Sequence, residues 1–123
     1  MNRIGAVLAA AAVLTTATAA ARPCQRTDLV LDYLADAGYA VAVRLSCYPA
    51  RGAHPNPVEA CATLAKVGGR PDRIKPADTM CTMQYDPLTA EITGTWKGRR
   101  IAWKQRYGNK CEMIRATGAL FTF

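Results

Sequence analysis

The sequence predicts an α+β domain, an antiparallel sheet of about five strands packed with one or two short helices and held by two disulfides. Three observations carry that expectation. Residues 39–47, 88–96 and 99–107 alternate apolar and polar side chains with a period of two, the pattern of half-buried strands. One stretch, between Asn56 and the pair Gly68 and Gly69, places its apolar residues at helical spacing instead. Five cysteines in 123 residues suggest a small exported domain whose modest core needs covalent help.

Residues 1–21 have the three parts of a secretory signal: Arg3, an Ala, Val and Leu run, and small residues suited to cleavage. The apolar run is short of the roughly 20 residues that span a bilayer, and Thr15, Thr16 and Thr18 interrupt it. The expected product is a secreted, extracellular protein with no membrane association after signal removal. Residues 22–38 form an N-terminal lead and first strand, and 27–123 a single domain. Losing Arg3 lowers the formal charge from +7 to +6, which permits an anionic partner without requiring one.

In the first strand, residues 27–34, Leu29, Leu31 and Tyr33 share one face and Asp28 and Asp32 the other. Gly38 turns the chain into residues 39–47, where Tyr39, Val41, Val43, Leu45 and Cys47 lie on the core face. Four residues, Pro49, Gly52, Pro55 and Pro57, exclude both helix and central strand from the next segment. Asn56 then reads as a helix N-cap with Pro57 at the first helical position and Glu59 in the first turn. The helix spans about three turns, and Val58, Cys61, Ala62 and Leu64 form its apolar stripe. Residues 70–78 are loop. Residues 88–96 and 99–107 form a hairpin about Lys97 and Gly98. Gly108 and Asn109 break the second strand, residues 111–116 allow one or two helical turns, and residues 119–123 read as a final apolar strand.

Between loop and hairpin lies the stretch with the most unusual chemistry, Met80, Cys81, Thr82, Met83, Gln84 and Tyr85, followed by Asp86 and Pro87. Spacing alone would allow Met83 to be a core residue. Turn formers upstream, a cysteine two residues before it and a rigid Asp-Pro after it favour a tethered, exposed loop.

Four cysteines allow three pairings, among which spacing does not choose. A bridge from Cys47, at a strand end, to Cys61, on the next helix, would staple helix to sheet; Cys81 and Cys111 would then pair and anchor the loop. Each is worth about 3 to 4 kcal/mol in the loop-entropy model. The odd cysteine, Cys24, is expected to be a thiol of the N-terminal lead or to join an intermolecular disulfide.

Laid out this way, the chain resembles the Streptomyces subtilisin inhibitor family from about residue 45 to 123. The resemblance rests on Cys47, on Gly52, His54, Pro55 and Pro57, and on Ala60, Cys61, Ala62, Leu64 and the Val67, Gly68, Gly69 run. It continues through Met80 to Met83, Tyr85 to Pro87, Trp96, Gly98, Cys111 to Met113 and Phe121 to Phe123. The segment before Arg44 matches poorly, and Thr82 stands where the family commonly has proline. The family's pairing implies Cys47 with Cys61 and Cys81 with Cys111. The resemblance further implies a secreted serine protease inhibitor, dimeric through its sheet, that presents Met83–Gln84 as its reactive bond. Met83 would be P1, Thr82, Cys81 and Met80 would be P2 to P4, and Gln84 and Tyr85 the primed side. The implied partner is a subtilisin-like serine protease.

Two other function classes fare worse. A hydrolase lacks its parts: the only histidine, His54, sits in a proline-bounded loop, and the only serine, Ser46, lies in a strand without a nucleophile elbow. No cofactor is expected. A metal site is not expected either, because the cysteines lack the short paired spacing of zinc ligands. The alternative is a secreted basic polyanion-binding module using Lys97, Arg99, Arg100, Lys104 and Arg106 with Trp96, Trp103 and Tyr107. Strand period puts Trp103 and Tyr107 on the face of Ile101 and the even-numbered cations on the other, so no mixed stacking platform forms and no nucleic-acid partner is expected.

Overall fold

The computed structural model describes residues 9–15 and 26–123. Most of the proposed signal segment and Cys24 lie outside the described residues. No described helix is long and apolar enough to cross a membrane.

Four antiparallel strands, β1 (Thr27–Ala35), β2 (Ala40–Cys47), β3 (Leu88–Trp96) and β4 (Arg99–Tyr107), form one sheet in the order β2-β1-β3-β4. Helices α1 (Pro57–Lys66) and α2 (Lys110–Thr117) are its helical partners. β1 is central because both of its edges are paired, Leu31 lying between Val43 and Ile92. Its odd-numbered residues Leu29, Leu31 and Tyr33 are buried with Leu45, Leu88, Ala90 and Ile92 against Ala60, Cys61, Leu64, Met113, Leu120 and Phe121. Alternation along the strands thus buries one face of the sheet under the helices.

The fifth strand expected at residues 119–123 is not formed there. Residues Gly118–Phe121 form a 3-10 turn in which the consecutive Leu120 and Phe121 are both fully buried. A strand would send such neighbours to opposite faces, whereas a tight turn inserts both into the core. A short apolar run carries no period that distinguishes the two.

Other departures are local. α1 buries Ala60, Cys61 and Leu64, while Val58 is 70% exposed. At about 100° per residue, position 58 lies more than a quarter turn from the middle of that face. Asn56 occupies the N-cap position but makes no side-chain cap. Instead its backbone N–H donates to Nδ1 of His54, at 2.9 Å. Nδ1 must therefore accept, so the hydrogen sits on Nε2 and is donated to the Leu120 carbonyl at 2.9 Å. His54 is buried as a joint between the proline-rich loop and the C-terminal turn. Val41 on β2 and Tyr39 just before it are exposed rather than core, as is Gln105 on β4.

Two glycines mark close approach. A Cβ at Gly69 would run into the Trp96 ring, and one at Gly94 into the Asp28 carbonyl of the neighbouring strand. Both have φ in the left-handed half of the map, at 73° and 130°.

On the outer face, Asp32 lies opposite Glu91, which in turn lies opposite Lys104. Partial burial and the Glu91 carboxylate raise the Asp32 pKa above the ordinary carboxylate value, and Lys104 only partly offsets them. A raised acid pKa means that the ionised form weakens the fold, so stability is gained as pH falls through the folded pKa and no difference remains below both values. Asp32→Asn should therefore be slightly stabilising in urea unfolding at pH 7, and the advantage should disappear at about pH 2 to 3.

Candidate functional site

Residues 74–87 carry no regular structure, yet several contacts hold them. Met80 is 96% exposed, Met83 100% and Tyr85 77%. Three large side chains displayed in six residues form the kind of apolar patch that marks a protein-binding surface.

The loop is tied at its back. Cys81 is bonded to Cys111 at the start of α2, with their Cα atoms 5.7 Å apart. Cys47 and Cys61 form the second disulfide and staple α1 to the end of β2. The Asn109 side chain works at both ends of its amide. Its Oδ1 accepts from the Glu112 N–H at 2.8 Å and caps α2, while its Nδ2 donates to the Thr82 carbonyl at 3.1 Å and the Gln84 carbonyl at 2.8 Å. Those carbonyls flank Met83. Downstream the Asp86 N–H donates to the Gly108 carbonyl, and upstream the Ala77 N–H donates to that of Arg115. Met83 is thus the fully exposed apex of a loop whose backbone is fixed on either side.

Sequence reasoning read Asn109 only as a strand breaker. The spacing Asn109 to Glu112 is a helix N-cap signature and could have located α2; its hold on the loop has no signal in the sequence, because the partners are backbone carbonyls 25 and 27 residues away.

On the far side of the loop, Arg106 makes two hydrogen bonds to the Asp36 carboxylate, at 3.0 and 2.6 Å. The Arg106 fork holds the Asp36 carboxyl below its usual range. The guanidinium in turn is pushed further above its normal value, first by Asp36 and then by the Tyr85 phenol.

The concave surfaces lie elsewhere. A cleft of about 380 Å³ is lined by Arg26, Asp28, Ser46, Tyr48 and Arg51, at the end of the sheet remote from Met83. Ser46 donates to Asp28, both His54 nitrogens are engaged, and Cys47 and Cys61 are disulfide-bonded. No nucleophile–base pair is assembled from these residues. On the basic hairpin, Trp96 is buried and Trp103 packs on Phe121 with ring centroids 6.1 Å apart. Its aromatic rings are committed to the core.

A tethered convex loop on a disulfide-bonded α+β domain suits a protein that is bound by others. The family model described as subtilisin inhibitor-like matches residues 25–109. The chain belongs to the subtilisin inhibitor-like family. The match starts at residue 25, so β1 and the first part of β2 belong to the family pattern although the resemblance on motifs began only near residue 45. Among curated relatives, a subtilase-type protease inhibitor of Streptomyces fradiae is 46% identical over 67% of this chain, spanning 60% of that protein's length. Kexstatin-1 of Streptomyces platensis is 38% identical over 98% of this chain and 94% of its own. Sermetstatin of Streptomyces caespitosus, solved in complex with Bacillus licheniformis subtilisin, superimposes with a TM-score of 0.68 at 30% identity. That likeness covers 80% of this chain and 99% of sermetstatin.

The two roles of Asn109 in this subtilisin inhibitor-like domain are separable. Asn109→Asp keeps the acceptor that caps α2 but removes both donors to the loop. Thermal unfolding should move little, by less than about 1 kcal/mol, whereas amide exchange at residues 82–85 should accelerate. Asn109→Ala should show both defects.

Proposed function

We propose that this chain is a secreted inhibitor of subtilisin-like serine proteases, offering residues 80–85 to the protease active site as an extended substrate with Met83–Gln84 as the reactive bond. The observation that carries the reading is the full exposure of Met83 between two carbonyls held by one Asn109 amide. The family consists of inhibitors rather than enzymes, and this chain is not an enzyme.

Proteases bind peptides as extended strands, and a flexible peptide loses much of its binding energy in becoming ordered. Here the disulfide and the Asn109 hydrogen bonds impose that order beforehand. Met83 enters the primary pocket as P1; Thr82, Cys81 and Met80 follow as P2, P3 and P4, and Gln84 and Tyr85 occupy the primed side. An unbranched thioether suits an apolar pocket, whereas a trypsin-like pocket with its acidic floor prefers Lys or Arg. After cleavage the Cys81–Cys111 bond retains the acyl side and the second Asn109 hydrogen bond retains the amine side, so the bond can re-form. Export through residues 1–21 agrees with two disulfides, which persist in oxidising surroundings.

The outer face of the sheet, with Val30, Leu34, Ala40, Ala42 and Ala102 among its charges, is the surface proposed to meet a second copy. Sedimentation equilibrium should give a dimer, and Leu34→Lys should give a monomer that still inhibits. A wild-type monomer at micromolar concentration would overturn that part of the reading.

Incubating the refolded mature protein with subtilisin should abolish protease activity and yield, by mass spectrometry, a single slow nick after Met83. Met83→Asp should weaken inhibition by about 10³-fold or more, as expected for a central anchor. Met83→Lys should shift inhibition towards trypsin, and oxidation of Met83 to the sulfoxide should weaken it by making the anchor polar. Full inhibition by the Asp variant would refute the site.

A further inference from the structure

We propose that Arg106 and Asp36 act as a positioning pair for the primed side of the loop, holding residues 84–87 in place so that a nicked inhibitor re-forms its Met83–Gln84 bond. The inference rests on the reactive bond assigned above. Cleavage adds one water across that bond and leaves a Met83 carboxylate and a Gln84 amine; resynthesis expels the water. The equilibrium between the two forms depends on how well the new ends are kept together.

The acyl end has a covalent tether close by, Cys81 being two residues from the bond. The amine end has none. From Gln84 the chain runs only to Pro87 before β3 begins at Leu88. Its described polar ties are the Asn109 donor to the Gln84 carbonyl, the Asp86 N–H to Gly108, and the Pro87 carbonyl accepting from the Asp36 N–H at 3.0 Å. Asp36 therefore touches this segment directly through its backbone.

Asp36 lies just past the end of β1, in the turn towards β2, and its position is set by the Arg106 fork. Arg106 is opposite Thr89 on β4, so its side chain reaches past the start of β3 to join the outer strand to the β1 turn. The same guanidinium sits beside the Tyr85 phenol. One pair thus borders Tyr85 and is joined to Pro87 by a backbone hydrogen bond. A two-pronged guanidinium–carboxylate contact has a fixed geometry that a single ammonium contact lacks.

The test is the ratio of nicked to intact inhibitor reached from both directions with catalytic subtilisin. It is measured for the wild type, Arg106→Gln, Asp36→Asn and the double variant, with unfolding curves alongside. Each single variant should shift the ratio towards the nicked form by about 2- to 5-fold, the range of a partly exposed ion pair. The double variant should shift it no further than either single one, because both remove the same interaction. High salt should move the wild type towards the variants and leave the double variant unmoved. Arg106→Lys should restore only part of the effect. Lys104→Gln, which loses a 4.0 Å pairing with Glu91 on the same face, should leave the ratio unchanged. An unchanged ratio in the Arg106 and Asp36 variants, or an equal shift in Lys104→Gln, would overturn the proposal while leaving the site intact. Absence of a wild-type nick after Met83 would overturn the site assignment itself.

Discussion

The Asn109 side chain is the contact through which the folded domain governs its loop. An amide has one acceptor and two donors, and here all three functions are used: the oxygen caps α2 and the nitrogen spans the carbonyls on either side of Met83. The orientation of that amide depends on α2, which is itself held by the buried Met113 and by Cys111. A loop that displays three large side chains to solvent is therefore tied to the core beneath it. Exposure and order usually oppose one another, and a single two-donor amide reconciles them.

Much of the remaining structure serves to keep α2 and the strand ends where this contact needs them. Tyr33 from the central strand donates to the Phe123 carbonyl at 3.0 Å, and Lys110 donates to the same carbonyl and to the Tyr33 hydroxyl. His54 joins the loop before α1 to Leu120, and Thr117 closes on the Met113 carbonyl inside the core. The C-terminal 3-10 turn is thereby wedged between both helices and the sheet. Had it formed an edge strand, Leu120 and Phe121 would not both fill the space under β1, and α2 would lose its floor. The disulfides divide the work: Cys47–Cys61 fixes the first helix to the sheet, and Cys81–Cys111 fixes the display loop to the second.

The strands were legible because their alternation is itself the physical cause of their burial. In β1 the core-face positions are buried where the period places them, and in β3 all but Gly94 are. The edge strands obeyed the same period less completely. Tyr39, Val41 and Gln105 sit at core-face positions yet are exposed, because their burial depends on neighbours that the sequence does not name. Val58 failed for a related reason: its helix packs through a narrow face centred on Ala60 and Leu64. The C-terminal segment failed because adjacent apolar residues satisfy both a strand and a tight turn until one knows what lies above them.

For the display loop, the sequence by itself determined the chemistry: which residues are apolar, where cysteines and Asp-Pro restrict the chain, and that no serine–histidine machinery accompanies them. Local rules suffice for that, since turn residues and side-chain character act within a few positions. Beyond the Cys81–Cys111 disulfide, tertiary structure alone decided what holds the loop. The Asn109 amide, the Gly108 and Arg115 carbonyls and the Arg106–Asp36 fork come from β1, β4 and α2, distant in sequence and adjacent only once the sheet has closed. Backbone carbonyls are the same at every residue, so a contact that recognises them leaves no mark on the sequence of the segment being held.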